Sequence, residues 1–386
     1  MATATTTLRQ VRVMRAGRRI GLTVLVACVG VFCMDALLFR THLYRSILEP
    51  ESSAGLLGLI LWREHRAQRT AGDNLVVVLG NSRMGYAPKG VDLRPRQTGY
   101  VLRVAGVAGS NAPTWYYTLR DLDPSARRYR AVVIGLDDYD DEDRTYEPDD
   151  DLTAMHYVIP LLRLTDVWDF SQSFHSPKYR WEAFRGSLLK GITYQADLQA
   201  FLSHPFKRIA YVRLCHRGWP DWTYDYVETD KNMVGLRVDW STLTATYPPG
   251  MDPIQRETVR NEMLYSPAPQ TGRLAQFRRK WLGRIADRYR NSRTKLIFLR
   301  LPRGPLVRPA SLVKKQSSSI RELVARPNVI LMDEHYFDSL EHPELFKDAV
   351  HLNREGVARF SAMLADEVAR ILGPLKEVPK GPLSGR

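Results

Sequence analysis

The sequence predicts an α/β fold in which a parallel β-sheet is sandwiched by helices, with a large insertion and one N-terminal transmembrane helix. Three observations carry that expectation. Short β-branched runs each stop at a loop, helical patterns alternate with them, and one long apolar segment precedes both.

The first run, residues 75–79, reads Leu-Val-Val-Val-Leu and ends in Gly80-Asn81-Ser82. Residues 131–134 repeat the pattern and end at Gly135, and residues 295–299 and 329–332 repeat it twice more. Runs this apolar predict strands buried on both faces, as in parallel sheets. Residues 113–122 have helical composition, and residues 354–372 place Val357, Phe360, Leu364, Val368 and Ile371 at helical spacing. A sheet of this kind takes its ligands at the carboxyl ends of the strands. The rhythm fails over residues 151–291, which are rich in Trp, Tyr, Arg and His. A structureless loop of that length is uncommon, so an inserted cap or subdomain is expected there.

The apolar segment, residues 20–39, is long enough to cross a hydrocarbon core of about 30 Å as a helix. Asp35 is its one charge and lies near the outer end, within reach of the headgroups. Arg9, Arg12, Arg15, Arg18 and Arg19 precede it with no acidic residue among them, which puts the N-terminus in the cytoplasm. A cleaved signal peptide and a lipoprotein signal acylated at Cys28 are the alternatives. The apolar run continues past Cys28, which argues against cleavage there. The expected layout is a basic cytoplasmic arm (1–19), a single-pass anchor in the inner membrane (20–39), a juxtamembrane linker (40–72), a periplasmic domain (73–372) and a flexible tail (373–386). A second apolar patch, residues 56–62, is too short to span and is expected at the interface or packed on the domain.

The composition of the 386 residues, 44% hydrophobic and 25% charged, is that of a globular chain and excludes wholesale disorder. The net charge of +14 is spread along the chain with no nucleic-acid motif, so an anionic membrane surface or polymer is the expected partner, and nucleic acid is not. Two of the three cysteines, Cys28 and Cys33, lie in the apolar segment, so no disulfide framework is expected. Cys215 reads as a small buried hydrophobe. The acidic residues from Asp137 to Asp143 and from Asp149 to Asp151 lack the spacing and glycine of a calcium loop and read as a solvated loop.

Ser82 directly follows a strand, where its hydroxyl is presented at the carboxyl edge of the sheet. A hydroxyl is a poor nucleophile unless a base takes its proton. Asp348-Ala349-Val350-His351, followed by an amphipathic helix, supplies a base and an acid to orient it. Positions three apart in a helical turn lie on one side, so Asp348 reaches one ring nitrogen while the other faces Ser82. Read singly, Ser82 is a helix-capping serine, His351 a surface histidine and Asp333 a rival acid; the Asp-x-x-His pairing favours the triad.

Four blocks in this order resemble the SGNH, or GDSL-like, hydrolase superfamily, whose fold is flavodoxin-like. Gly80-Asn81-Ser82 is similar to the family's first block and implies Ser82 as nucleophile. Residues 104–111 are similar to the second block and imply the Gly109 amide as an oxyanion-hole donor, although Gly109 also reads as a plain turn glycine. Residues 348–351 match the closing block. The third block departs: Gly135-Leu136-Asp137-Asp138 puts Asp137 where the family has the oxyanion-hole asparagine. An ionised carboxylate cannot donate to an oxyanion, so Asp137 is protonated, or another donor substitutes, or the Ser82 and Gly109 amides suffice.

The anchor and residues 79–84 are similar to membrane-anchored members that acylate cell-surface polymers beside a polytopic membrane-bound O-acyltransferase. The resemblance implies a serine esterase or O-acyltransferase acting on acyl, chiefly acetyl, esters of an exported polysaccharide, with no metal or organic cofactor. The alternative is a catalytically idle scaffold that keeps the fold, and Asp137 is the residue that favours it. Trp181, Trp219, Trp222 and Trp240 read either as core or as a sugar-stacking groove.

Overall fold

The computed structural model describes residues 2–68, 74–86, 99–141, 155–218, 231–264, 273–309 and 318–375. Trp219, Trp222, most of the acidic loop and the tail beyond residue 375 lie outside them. Strands β1 (Leu75–Leu79), β2 (Val101–Val104), β3 (Ala131–Leu136), β6 (Lys295–Arg300) and β7 (Val329–Leu331) form one parallel sheet in the order β2-β1-β3-β6-β7. A separate antiparallel hairpin pairs β4 (Arg237–Asp239) with β5 (Thr244–Thr246). The chain reverses direction across the sheet between β1 and β3, the switch point at which loops diverge and leave a crevice.

Every residue of β1 and β3 is buried, as their continuous apolar runs require. Side chains alternate across the pleat, so Val77, Val132 and Leu296, in register with one another, face one layer. That layer contains Leu57 and Leu61 of α2 (Ser53–Gln68), Tyr117 and Leu119 of α4 (Ala112–Leu122), and Trp281 and Ile285 of α5 (Arg273–Arg288). Val76, Val78, Val133 and Ile297 face the other layer with Phe360, Leu364 and Val368 of α6 (Arg354–Leu372). The residues expected at helical spacing on α6 thus pack where the sequence puts them. Asn353 caps α6 by accepting from the Gly356 N–H at 3.0 Å, and Gly373 ends it at φ 70°.

Two parts differ from the sequence reading. Residues 40–72, expected as a linker, contain α2, whose apolar face is buried in the sheet core, so the 56–62 patch takes the second of its two expected places, on the domain. The interval 151–291 carries helices Val167–Ser171, Pro177–Leu188, Lys190–Thr193, Gln195–Ser203 and Pro205–Gly218, but its last helix, α5, belongs to the sheet sandwich. Trp281 at the centre of α5 is fully buried against Tyr116, Tyr117 and Phe170, which fixes that helix on α4. Trp240 packs half-buried on the other layer, Cys215 packs partly buried on the first, and Trp181 is 60% exposed and stacks on Phe184.

The N-terminal helix α1 (Ala2–Phe39) is, over residues 18–39, long and apolar enough to cross a membrane, and most of those residues are exposed. Asp35 does not reach toward headgroups. It is buried and accepts from the Lys190 and Gly191 backbone N–H groups at 3.0 and 2.6 Å, because those amides open a helical turn and lack partners of their own.

Candidate active site

Ser82 opens the short helix α3 (Ser82–Tyr86) immediately after β1 and Gly80. A Cβ at Gly80 would lie 2.5 Å from Met84 Cβ, so only glycine lets the chain turn this tightly into α3. The second block docks on the same strand end. The Val107 N–H donates to the Gly80 carbonyl at 3.1 Å, and Ser110 Oγ donates to it at 2.8 Å. Gly109 has φ 66°, in the left-handed region that favours glycine, and neither its N–H nor that of Ser82 is spent in a backbone bond among the described residues.

The structure brings Ser82, His351 and Asp348 together across 269 residues of chain. Ser82 Oγ lies 3.0 Å from His351 Nε2, and His351 Nδ1 lies 2.9 and 3.1 Å from the two Asp348 oxygens. With Nδ1 donating to the carboxylate, Nε2 is left to accept the serine proton. The segment is a bend rather than the helical turn expected: Asp348 Oδ1 accepts from the Val350 and His351 N–H groups at 2.9 and 2.7 Å, and the Lys347 N–H donates to the His351 carbonyl at 3.0 Å. Gly304 packs against this bend, since a Cβ there would meet the Ala349 carbonyl at 2.8 Å. Asp333 is spent on the backbone of its own turn, accepting from the His335 N–H at 2.9 Å.

Burial opposes the charge on Asp348, but the hydrogen bond and charge of His351 and the two N–H donors outweigh it and hold the carboxyl below its ordinary 3.8. A carboxyl with a depressed folded pKa stabilises the fold above its unfolded value and loses that contribution as pH falls through the folded one. Asp348→Asn is therefore expected to cost stability at neutral pH by a margin that shrinks as pH drops below about 4. Urea unfolding of both forms across the acid range checks this; a margin unchanged at the acid end would contradict it.

Asp137 stands at the carboxyl end of β3, as expected, but does not serve as a donor. Its two oxygens accept from Asn81 Nδ2 at 2.7 Å and from the Arg83 guanidinium at 2.6 Å. Asn81 Oδ1 in turn accepts from the Arg83 N–H at 3.1 Å, and the guanidinium also reaches the Pro302 carbonyl. The carboxylate clamps the turn that carries Ser82 and is not free to act as the oxyanion donor expected at its position. Arg83 and Asn81 were not singled out from sequence; the signal was an arginine beside the serine and an acid where the resemblance implies a neutral side chain. Asn111 Nδ2 was also missed. It is buried without a hydrogen-bond partner among the described residues and lines a cavity of about 10 Å³ with Asn81, Gly135 and Asp137, room for about one water.

From sequence, Asp137→Asn should raise activity if Asp137 points into the site as a carboxylate that repels the oxyanion. Arg83 already neutralises that charge, and both side chains are nearly buried, 12% and 11% exposed. The substitution is expected instead to leave turnover no higher and to destabilise by about 1–3 kcal/mol, the cost of a lost charge-assisted bond. Melting temperature and ester turnover read the two arms, and a several-fold gain in activity would contradict the clamp.

No protein-family model matches the chain, and no curated protein matches it significantly.

Proposed function

We propose that the chain is a membrane-anchored serine O-acyltransferase or esterase of the SGNH type, acting outside the cytoplasm on acyl esters, chiefly acetyl, of a cell-surface or exported polysaccharide. The observation that carries this reading is the unbroken relay from Ser82 Oγ through His351 to Asp348 at 3.0 and 2.9 Å. In it Ser82 attacks the ester carbonyl while His351 Nε2 takes its proton. The Ser82 and Gly109 amides hold the oxyanion, and the imidazolium returns the proton to the leaving alkoxide. A water or a sugar hydroxyl then attacks the acyl-enzyme with His351 again as base. Both outcomes use the same groups, and the anchor favours transfer by concentrating a membrane-delivered acyl donor.

The test is to incubate the detergent-solubilised full chain with an activated acetyl ester and candidate oligosaccharides, following free acetate and acetylated sugar by mass spectrometry. Acetylated sugar that disappears with Ser82→Ala supports transfer. Acetate release indifferent to any acceptor supports the esterase. Neither product, from a folded protein, favours a second reading in which the fold is kept as a scaffold of an acylation complex, a reading the occupied Asp137 position supports.

A further inference from the structure

Taking α1 as a membrane anchor, we propose that residues 188–207 form a second membrane contact, a foot that rests in the outer headgroup layer beside the anchor. The anchor does not end in a free linker. Asp35 caps the turn at Lys190 and Gly191, Arg40 donates to the Ser187 and Leu188 carbonyls at 2.6 and 2.8 Å, and Phe39 stacks on Tyr194 with ring centroids 5.3 Å apart. Gly191 is pressed against the anchor, since a Cβ there would lie 2.9 Å from the Phe39 ring.

Depth follows from helix rise. Arg19 to Asp35 covers about 24 Å, short of the roughly 30 Å hydrocarbon core, so a core that begins at Arg19 ends near Phe39. The turn held between Asp35 and Phe39 therefore lies in the last turn of the anchor, within about 6 Å of the outer boundary of the core, and its Ile192 side chain is 40% exposed at that level. The two helices that follow are tied to the same place. Asp197 accepts from Tyr44 at 2.5 Å and from Arg208 at 2.9 Å, and Arg208 pairs with Glu49 at 2.8 Å, fixing both helices to the chain just beyond the anchor. The elbow between them exposes Leu202 by 68% and Phe206 by 86%, with Lys207 exposed alongside. Apolar tips beside a cation, continuous with an anchor whose Ile20, Val26 and Met34 are exposed to the same degree, fit an anionic lipid interface.

The foot also sets the height of the triad. Helix α4 starts beside Ser110 at the catalytic edge, and Asp121 near its other end lines one cavity with Phe39, Arg45 and Lys190. The catalytic edge thus stands about one α4 length, roughly 16 Å, from the anchor's exit.

The test uses the full chain in nanodiscs of phosphatidylethanolamine and phosphatidylglycerol, with Cys28, Cys33 and Cys215 replaced by alanine. Nitroxides are placed by Leu202→Cys and Phe206→Cys, with Val26→Cys as the lipid reference and Ile254→Cys, 80% exposed, as the aqueous one. All four sites are exposed side chains, so folding is not at stake. Collision with oxygen relative to a water-soluble nickel chelate should be several-fold higher at 202 and 206 than at 254, and lower than at 26 in the hydrocarbon core. Ratios at 202 and 206 equal to that at 254 would overturn the foot, and low collision with both reagents would replace the bilayer by a protein partner. An aqueous Val26 would remove the anchor itself, a failure distinct from an aqueous Phe206 beside a lipid-embedded Val26.

Discussion

Ser82→Ala is expected to lower turnover of an activated ester by at least about 10³-fold, and His351→Ala by a similar factor, while the double variant is scarcely worse than either. The reason is that the two act as one unit: a serine 3.0 Å from an imidazole has a base, and without it the hydroxyl keeps its proton. Asp348→Asn should be severe but less complete, because it removes the carboxylate that fixes the ring's tautomer while leaving a side chain that still accepts from the bend's amides. Independent, multiplicative losses would mean that Ser82 and His351 do not share a proton. None of the three should unfold the protein, since Ser82 and His351 are only partly buried.

The second large effect concerns a charge network with no part in the chemistry. Arg300, at the end of β6, is fully buried and donates to Glu341 at 2.7 Å; both side chains have no exposure. It also reaches Asp338 and the Leu301 and Glu334 carbonyls. Glu341 accepts as well from the Arg303 N–H at 2.8 Å, so this pair ties the sheet edge to the loop that leads into Asp348 and His351. Removing Glu341 leaves the buried guanidinium with the partly exposed Asp338 as its remaining acid among the described residues, and Glu341→Ala is expected to cost up to about 3–5 kcal/mol. For a domain of this size the melting temperature should fall by on the order of 10 °C. The double variant Arg300→Met with Glu341→Ala removes both charges and should cost less than the sum of the singles. Thermal unfolding of the four forms checks this, and strict additivity would contradict a coupled pair.

How much of this was legible in the sequence differs from element to element, for physical reasons. Four of the five sheet strands among the described residues announce themselves by continuous apolar runs: β1, β3 and β6 because both faces are buried, and β7, at the edge and only partly buried, because its run is apolar all the same. β2 is an edge strand, half-exposed along its length, and its Arg103 pairs with Glu64 of α2, so no apolar run marks it. α2 was legible in part: its apolar stretch at 56–62 was expected at the interface or on the domain, and it packs on the domain, but the residues around it read as linker. Ser82, His351 and Asp348 were legible because an acid three residues before a histidine is a local pattern, even though the chain forms a bend there. The tertiary pairs described above are not local. Asp137 with Arg83, Arg300 with Glu341, and Asp35 with Lys190 join residues 41 to 155 positions apart, and nothing in either residue's neighbourhood points to the other. Asp35 illustrates the limit, since a lone acid near a membrane boundary reads as seeking headgroups until a distant turn supplies two amides.

The central claim is that Ser82 is a nucleophile activated by His351, and the most direct measurement is labelling of the purified full chain with a fluorophosphonate probe. Peptide mapping should place the adduct on Ser82, and labelling should fall to background in Ser82→Ala and slow drastically in His351→Ala. A folded wild-type chain that takes up no label, or a label that persists at the same rate without His351, would contradict the account.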